Sequence, residues 1–210
     1  MFVKKSLKKK SFLVIGLGRF GSSFAKNMMK MGCEVVAVDE DLEKVNKISE
    51  FVTEAMAGNI HDEDFLTSLG LSDFDAVVVA IGHDIESSVL ITTLVKELGA
   101  KYVVSKAADD LHEKILQKIG ADWVVTVERE MGQKVALSLY SNKVIDSLEL
   151  TPDFRFVELL VLESWLGKKV ATVGVFKNHD LMLVAVKRGK EKSKNLHREY
   201  CQPLPQSQTH

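Results

Sequence analysis

Short runs of apolar residues recur along the chain up to about residue 140, and a segment with helical spacing of apolar positions follows each run. Runs without polar interruption, such as Val77-Val78-Val79, are typical of strands covered on both faces by helices. The alternation of strand and helix therefore predicts an α/β fold with a doubly wound parallel sheet. The six predicted strands span residues 12–15, 34–38, 54–57, 76–80, 102–106 and 123–126.

The pattern changes after about residue 140, where strand-like segments at 144–150, 154–162 and 180–187 are joined by short loops. Thr151-Pro152-Asp153 is a turn signal between the first two of these segments. We predict a main domain at 11–143 and a small α+β C-terminal lobe at 144–190. Residues 191–210 are polar and are predicted to be a disordered tail.

Composition excludes several classes of protein. The chain has 210 residues, of which 46% are hydrophobic and 27% charged, as in a soluble globular protein of one domain with a small appendage. Because 28 basic residues balance 29 acidic ones, we expect no nucleic-acid partner. No apolar run approaches the roughly 18 residues of a transmembrane segment. Cys33 and Cys201 are isolated, which suits a reducing cytoplasm.

The first ten residues form a basic tail rich in lysine. The apolar stretch behind it is interrupted by Gly16, Gly18 and Arg19, so it does not resemble a signal peptide. We expect a solvated tail, with contact to a membrane surface or an acidic partner as the alternative.

A G-x-G-x-x-G turn follows the first predicted strand and opens a helix. Gly16 permits a tight turn, Gly18 lets backbone amides approach a pyrophosphate, and Gly21 lets the helix pack closely on the strand. Asp39 closes the next strand, 23 residues beyond Gly16, where a carboxylate accepts ribose hydroxyls. Strand, glycines, helix and acid together predict a Rossmann-like nucleotide-binding domain.

Other candidate residues follow strands whose carboxyl ends should border the same pocket. Asn59 suits a contact with a base edge, or a simple turn, and Lys106 suits phosphate or ribose, or a surface position. Ile81 and Gly82 follow the fourth strand. Arg19 lies inside the glycine turn, where a permanent cation favours an additional phosphate or a bidentate contact.

The sequence predicts no catalytic residue. Tyr102 and Lys106 have a Y-x-x-x-K spacing, but the segment reads as a buried strand rather than as a dehydrogenase helix. His61 and Asp62 suggest a metal or acid–base site, yet Asp62 is better explained as a helix N-cap. The His83-Asp84 pair suggests the same kinds of site, but His83 serves as well as a loop residue at the rim of the pocket.

Five segments in this order resemble the RCK domain, the regulator of potassium conductance, and in particular the cytosolic regulatory subunits of Ktr and Trk potassium uptake systems. The similarity covers about residues 11 to 188. The segments are Val14–Gly21, Val36–Asp39, Val78–Gly82, Lys118–Asp122 and Glu128–Gly132.

The resemblance implies a subunit that dimerises, assembles into an octameric ring and binds a membrane subunit that conducts potassium. It also implies a cytoplasmic protein at the inner face of the membrane, whose ligand is ATP or ADP, or alternatively NAD or NADH. Glu128 matches a glutamate that approaches the terminal phosphate of ATP through a divalent cation, Mg or Ca, which makes it a candidate metal ligand. The predicted nucleotide-binding residues are Gly16, Leu17, Gly18, Arg19, Phe20, Gly21, Asp39, Asn59, Ile81, Gly82, Lys106 and Glu128.

The C-terminal lobe departs from the family pattern. Related lobes run several strands past Arg188, whereas this chain becomes charged and polar, so we expect either a shortened lobe or a divergent replacement of those strands. An NAD-dependent oxidoreductase or a free-standing nicotinamide redox sensor is the alternative function, and Asp39 fits both because it favours an unphosphorylated ribose.

Overall fold

The computed structural model of the protein describes residues 9–140, 144–151, 154–174 and 182–186. The chain divides into two compact units, Met1–Tyr140 and Ser141–His210. Most of the predicted basic tail and the whole predicted tail at 191–210 lie outside the described residues.

The described part of the first unit contains a six-stranded parallel sheet with the strand order β3-β2-β1-β4-β5-β6. Each observed strand begins and ends within one residue of its predicted bounds, so the predicted α/β fold with a doubly wound sheet is confirmed. The strands are β1 (Ser11–Ile15), β2 (Glu34–Asp39), β3 (Glu54–Ala57), β4 (Ala76–Val79), β5 (Val103–Lys106) and β6 (Trp123–Val125). The strand order reverses between β1 and β4, which is where open α/β sheets bind their ligands.

Helices connect the strands, and their capping follows local sequence. They are α1 (Arg19–Lys30), α2 (Leu42–Ile48), α3 (Glu63–Ser68), α4 (Ile85–Glu97), α5 (Asp110–Lys118) and α6 (Val127–Tyr140). Gly99 follows the end of α4 with φ +86°, a left-handed conformation that glycine adopts readily, so it terminates the helix there. In α6, all of whose side chains are described, no residue is fully buried.

Successive residues of the central strands pack into two different cores. Leu13, Val77 and Val79 contact one core together with α3 and α4, whereas Val14 and Val78 contact the other together with α1 and α2. All five of these side chains are fully buried. The sheet is therefore covered on both faces, which explains the uninterrupted apolar runs.

The described part of the second unit contains an antiparallel pair, β7 (Val144–Thr151) and β8 (Phe154–Leu159), and a short helix, α7 (Val170–Val173). The prediction of a strand at 180–187 is wrong where it can be checked, because residues 182–186 form no strand. These residues join neither of the two sheets that the described residues form.

Within the described ranges, no helix is both long enough and apolar enough to cross a membrane.

Candidate functional site

The turn from β1 into α1 carries three glycines, Gly16 and Gly18 in the loop and Gly21 in the first turn of the helix, and each meets a different geometric requirement. Gly16 has φ +95°, which side-chain-bearing residues rarely adopt, and its N–H donates to the carbonyl of Val38 at 2.8 Å. A Cβ added to Gly21 would lie 2.0 Å from the carbonyl oxygen of Gly16, so a side chain cannot fit there. A Cβ added to Gly18 would meet nothing within 4 Å. The chain therefore turns tightly from β1 into α1, and the side of the loop at Gly18 stays open to a ligand.

The N-terminus of α1 differs from those of the four helices that follow it. Each of α2 to α5 has an aspartate N-cap whose carboxylate accepts a backbone N–H, namely Asp41, Asp62, Asp84 and Asp109. The predicted capping role of Asp62 is thus confirmed. Helix α1 instead starts after Gly18, with no side-chain cap and no acidic residue in its first turn. Its first N–H groups and the positive end of its dipole are available for an anion such as phosphate.

Arg19 adds a full positive charge at the same place. Its side chain is exposed, and among the described residues it has no hydrogen-bond or ion-pair partner. An unpaired guanidinium can make two parallel hydrogen bonds to a phosphate. Arg19 and the uncapped amides of α1 are therefore complementary to a phosphorylated ligand.

Asp39 ends β2 beside the glycine loop and is only 7% exposed. Its Oδ2 accepts the N–H of Leu17 at 2.6 Å, and its Oδ1 accepts the N–H of Asp41 at 2.9 Å. The ammonium of Lys44, which the sequence reasoning missed, lies 3.3 Å from Oδ1. The same ammonium lies 3.4 Å from Oδ2, so the two amides and Lys44 together use the roughly four acceptor positions of the carboxylate. Asp39 is thus held in place, and a ligand hydroxyl can bind it by displacing Lys44.

Gly82, Lys106 and Glu128 come together from the loop after β4, the end of β5 and the start of α6. The Lys106 ammonium donates to Oε1 of Glu128 at 2.8 Å; Lys106 is 9% exposed, whereas the Glu128 side chain is 67% exposed. A Cβ added to Gly82 would lie 3.1–3.2 Å from the end of the Lys106 side chain, so this glycine makes room for the lysine. The hydrogen bond from Lys106 lowers the pKa of Glu128. The alternative that Lys106 is a satisfied surface lysine is thus correct about its pairing, with Glu128, but Lys106 is little exposed. A contact with phosphate or ribose stays a prediction.

Asn59 lies in the loop after β3, where its Oδ1 accepts the N–H of His61 at 3.0 Å. This is the turn role that the sequence left open, and a contact with a base stays a prediction. His61 also contacts Glu40 at 3.0 Å and Ser87 at 2.7 Å. These partners lie 21 and 26 residues from His61, with no spacing that a sequence pattern would have shown.

The side chains of three predicted residues pack against other parts of the protein. Leu17 is 4% exposed and packs in the core. Phe20 packs on Phe24, with ring centroids 6.3 Å apart. The Cγ1 of Ile81 lies 3.1 Å from where a Cβ of Gly16 would be. The remaining predicted residues come from the carboxyl ends of β1 to β5 and the start of α6, which border one edge of the sheet.

Residues 12–127 match the family model of the TrkA-N domain. The chain is 43% identical over 183 residues to Ktr system potassium uptake protein C of Bacillus subtilis, covering 87% of this chain and 83% of the relative. It is 40% identical over 181 residues to Ktr system potassium uptake protein A of the same organism, covering 86% of this chain and 82% of the relative.

Solved structures with the same fold include the TrkA-N domain of inner membrane protein ybaL from Escherichia coli, with a TM-score of 0.56, 20% identity and coverage of 63% of this chain and 98% of the other. The GsuK channel bound to NAD matches with a TM-score of 0.53 and 15% identity, covering 61% of this chain and 23% of the channel. The Kef C-terminal domain of Shewanella denitrificans in its AMP-bound form matches with a TM-score of 0.52 and 21% identity, covering 63% and 82%.

Proposed function

Because the chain belongs to the TrkA-N domain family, we propose that it is a nucleotide-binding regulatory subunit of a membrane potassium uptake system and not an enzyme. Its similarity to two Ktr potassium uptake proteins over most of its length supports the role in potassium transport. The nucleotide part of the proposal rests on the N-terminus of α1. This helix has no side-chain cap, and its first residue is Arg19, an exposed cation without a side-chain partner among the described residues.

The ligand is ATP or ADP, with NAD or NADH as the alternative. The backbone of the glycine loop and Arg19 bind the phosphates, Asp39 binds the ribose, and Asn59 lies at the base. Related folds that bind NAD and AMP support a nucleotide of this class.

Glu128 takes part in the binding of ATP through a divalent cation. Its exposed carboxylate repels a terminal phosphate unless a positive charge lies between them. Mg and Ca prefer oxygen ligands of this kind, so the donor chemistry of Glu128 fits such an ion. Lys106 supplies a positive charge next to Glu128.

Regulation requires the ligand to prefer one of two conformations of the assembly, because a ligand with equal affinity for both shifts neither. The assembly is a ring of dimers, octameric as in the family that the sequence resembles. It associates with a membrane potassium-translocating subunit at the cytoplasmic face. The extra phosphate of ATP makes contacts through Arg19 and Glu128 that ADP cannot make.

Isothermal titration calorimetry with ATP, ADP and NAD tests the binding. We expect Arg19→Ala to weaken ATP binding about tenfold or more, in keeping with a lost charge-assisted hydrogen bond. The matched control is Lys30→Ala, which removes an exposed cation from the opposite end of the same helix. Lys30→Ala should bind ATP and ADP as the wild type does. If Arg19→Ala also keeps the wild-type affinities for ATP and ADP, the proposed phosphate site is wrong.

Potassium uptake tests the regulatory role. Cells that lack their own Ktr regulatory proteins should recover uptake when they produce this chain with its membrane subunit, and Arg19→Ala should reduce that recovery. Native mass spectrometry with and without ATP determines the size of the assembly.

The buried Asp39 favours an unphosphorylated ribose and so supports a second candidate, a nicotinamide redox sensor or an NAD-dependent oxidoreductase. Robust hydride transfer with any member of a panel of carbonyl substrates would establish the enzyme. Tighter binding of NADH than of ATP, without turnover, would favour the sensor.

A further inference from the structure

His61 joins three loops that border the Asp39 side of the candidate nucleotide site. Its Nδ1 lies 3.0 Å from Oε1 of Glu40, which directly follows Asp39. Its Nε2 lies 2.7 Å from Oγ of Ser87 in the first turn of α4. Its own loop also carries Asn59, whose side chain accepts the His61 N–H. One imidazole ring thus ties the end of β2 and the loop after β3 to the start of α4.

The hydrogen-bond partners of His61 determine how many protons its ring must carry. The Ser87 hydroxyl donates its one proton to Oδ2 of Asp84 at 2.5 Å, so toward His61 its oxygen acts as an acceptor. Glu40 is an acceptor as well. Both ring nitrogens of His61 therefore face acceptors, and both hydrogen bonds form only when the ring carries two protons.

The neutral ring cannot keep this network. If Nδ1 loses its proton, a lone pair faces the carboxylate of Glu40. If Nε2 loses its proton, Ser87 must turn its hydroxyl away from Asp84 to donate to His61, and Asp84 loses a hydrogen bond. Histidine is the side chain that ordinarily gains or loses its charge between pH 5 and 8. The complete network therefore requires the doubly protonated ring.

The surroundings of His61 are acidic on every element that packs around it. Glu40 approaches from the end of β2, and Asp84 acts through Ser87 from the cap of α4. The titratable groups on these segments are Glu40, His83, Asp84, Glu86, Asp62, Glu63 and Asp64. His83 is the only histidine among them, and the others are carboxylates.

We propose that His61 is a positioning residue of the nucleotide site, and that its protonation ties the Asn59 loop to the end of β2 and strengthens nucleotide binding at low pH. This inference rests on the proposed nucleotide-binding function. The two hydrogen bonds of His61 hold the loops on the Asp39 side of the site in place before the ligand binds. This lowers the entropy cost of ordering those loops on binding. Because the His61 and Glu40 side chains are 38% and 47% exposed, the effect is of the modest size that surface ion pairs have.

The test is calorimetric titration of the full chain with NAD and with ATP at pH 6 and pH 8. The wild type should bind about two- to fivefold more tightly at pH 6, which corresponds to about 0.4 to 1 kcal/mol. His61→Gln should lose this dependence. Titration of the ATP phosphates affects both proteins equally, so it cancels when their pH ratios are compared.

Two further variants keep the test decisive. Glu40→Gln removes the charge that faces Nδ1 and should also abolish the pH dependence, even if His61→Gln folds poorly. Glu43→Gln, the matched control, removes an exposed carboxylate that pairs with Lys47 instead, and should keep the wild-type ratio.

Equal pH ratios in the wild type, His61→Gln and Glu40→Gln overturn this inference but leave the proposed function standing. Tighter binding of NAD by the wild type at pH 8 than at pH 6 also overturns it. If none of these proteins binds either nucleotide at any pH, both proposals fail.

Discussion

An added methyl group should destabilise the protein at Gly21 but leave its stability nearly unchanged at Gly18, although both glycines belong to the turn from β1 into α1. In Gly21→Ala the new Cβ would lie 2.0 Å from the carbonyl oxygen of Gly16 and 3.0 Å from the Cβ of Ala80, and real Cβ atoms essentially never come within 3.0 Å of another heavy atom. Helix α1 must therefore move away from β1 by about 1 Å. In Gly18→Ala the methyl group meets nothing within 4 Å, and φ is −66°, which alanine adopts without strain.

The expected changes in stability follow from these contacts. Overpacking of a tight site destabilises a protein by about 1–3 kcal/mol, and the clash with a backbone oxygen places Gly21→Ala at the upper end. The better helix propensity of alanine offsets up to about 1 kcal/mol, which leaves a net loss near 2 kcal/mol. The melting temperature should fall by about 4–8 °C. For Gly18→Ala, the poorer N-cap and the smaller entropy of the unfolded chain roughly cancel, within about 0.5 kcal/mol.

Circular dichroism melts measure the stability of both variants, and calorimetric titration with ATP measures their affinity. Gly18→Ala should keep its melting temperature but bind ATP more weakly, because the methyl group occupies the open space where phosphates approach backbone amides. The geometric reasoning is refuted if Gly21→Ala melts within 1 °C of the wild type. It is equally refuted if Gly18→Ala loses as much stability as Gly21→Ala.

Three further changes test other contacts. Lys106→Gln should raise the pKa of Glu128, because the hydrogen bond from Lys106 is the main cause of its lowering; an NMR titration of the Glu128 carboxyl carbon that shows no change would contradict this. Burial lowers the pKa of His112 below the 6.5 of an unfolded chain. The unfolded chain therefore takes up the proton first, and the free energy of unfolding should decrease as the pH falls below 6.5, by at most about 1.4 kcal/mol per pH unit. Urea unfolding of the wild type and His112→Gln at several pH values measures this, and equal slopes in the two proteins would rule it out. Gly58→Ala would place a Cβ 2.2 Å from the ring of Phe65, so we expect a loss of about 1–3 kcal/mol in the same unfolding assay, and a neutral result would show that the ring moves freely.

The sequence was sufficient to predict the sheet and the glycine loop. Strands such as β4 are uninterrupted apolar runs, because residues that alternate between two buried cores must all be apolar. The glycines were predictable because a positive φ at Gly16 and the close approach at Gly21 exclude other residues. Both features depend on neighbours in the chain or on a strict steric limit.

Contacts between separate loops were not predictable in this way. The burial of Lys106 depends on Gly82 and on a partner at the start of α6, and nothing near Lys106 in the sequence indicates either. His61 meets Glu40 and Ser87 only because the fold brings three strand ends together. The strand predicted at 180–187 is absent at residues 182–186, the part that the structure describes. A run of apolar residues suggests a strand, but it does not show whether another strand lies beside it to complete the hydrogen bonds.

The ion pair between Lys106 and Glu128 lies at the first turn of the long helix α6, far from the other end of that helix. Glu128 is the second residue of a 14-residue helix that ends at Tyr140, the last residue of the first unit. At a rise of 1.5 Å per residue, the far end lies about 18 Å from Glu128, so a tilt of about 5° displaces it by about 1.6 Å. No side chain of α6 is fully buried, and the ion pairs from Arg129 to Asp110 and Glu113 hold its first turn to α5. If a change of partner at Glu128 tilted the helix about that turn, the displacement would be largest at Tyr140, where the first unit ends.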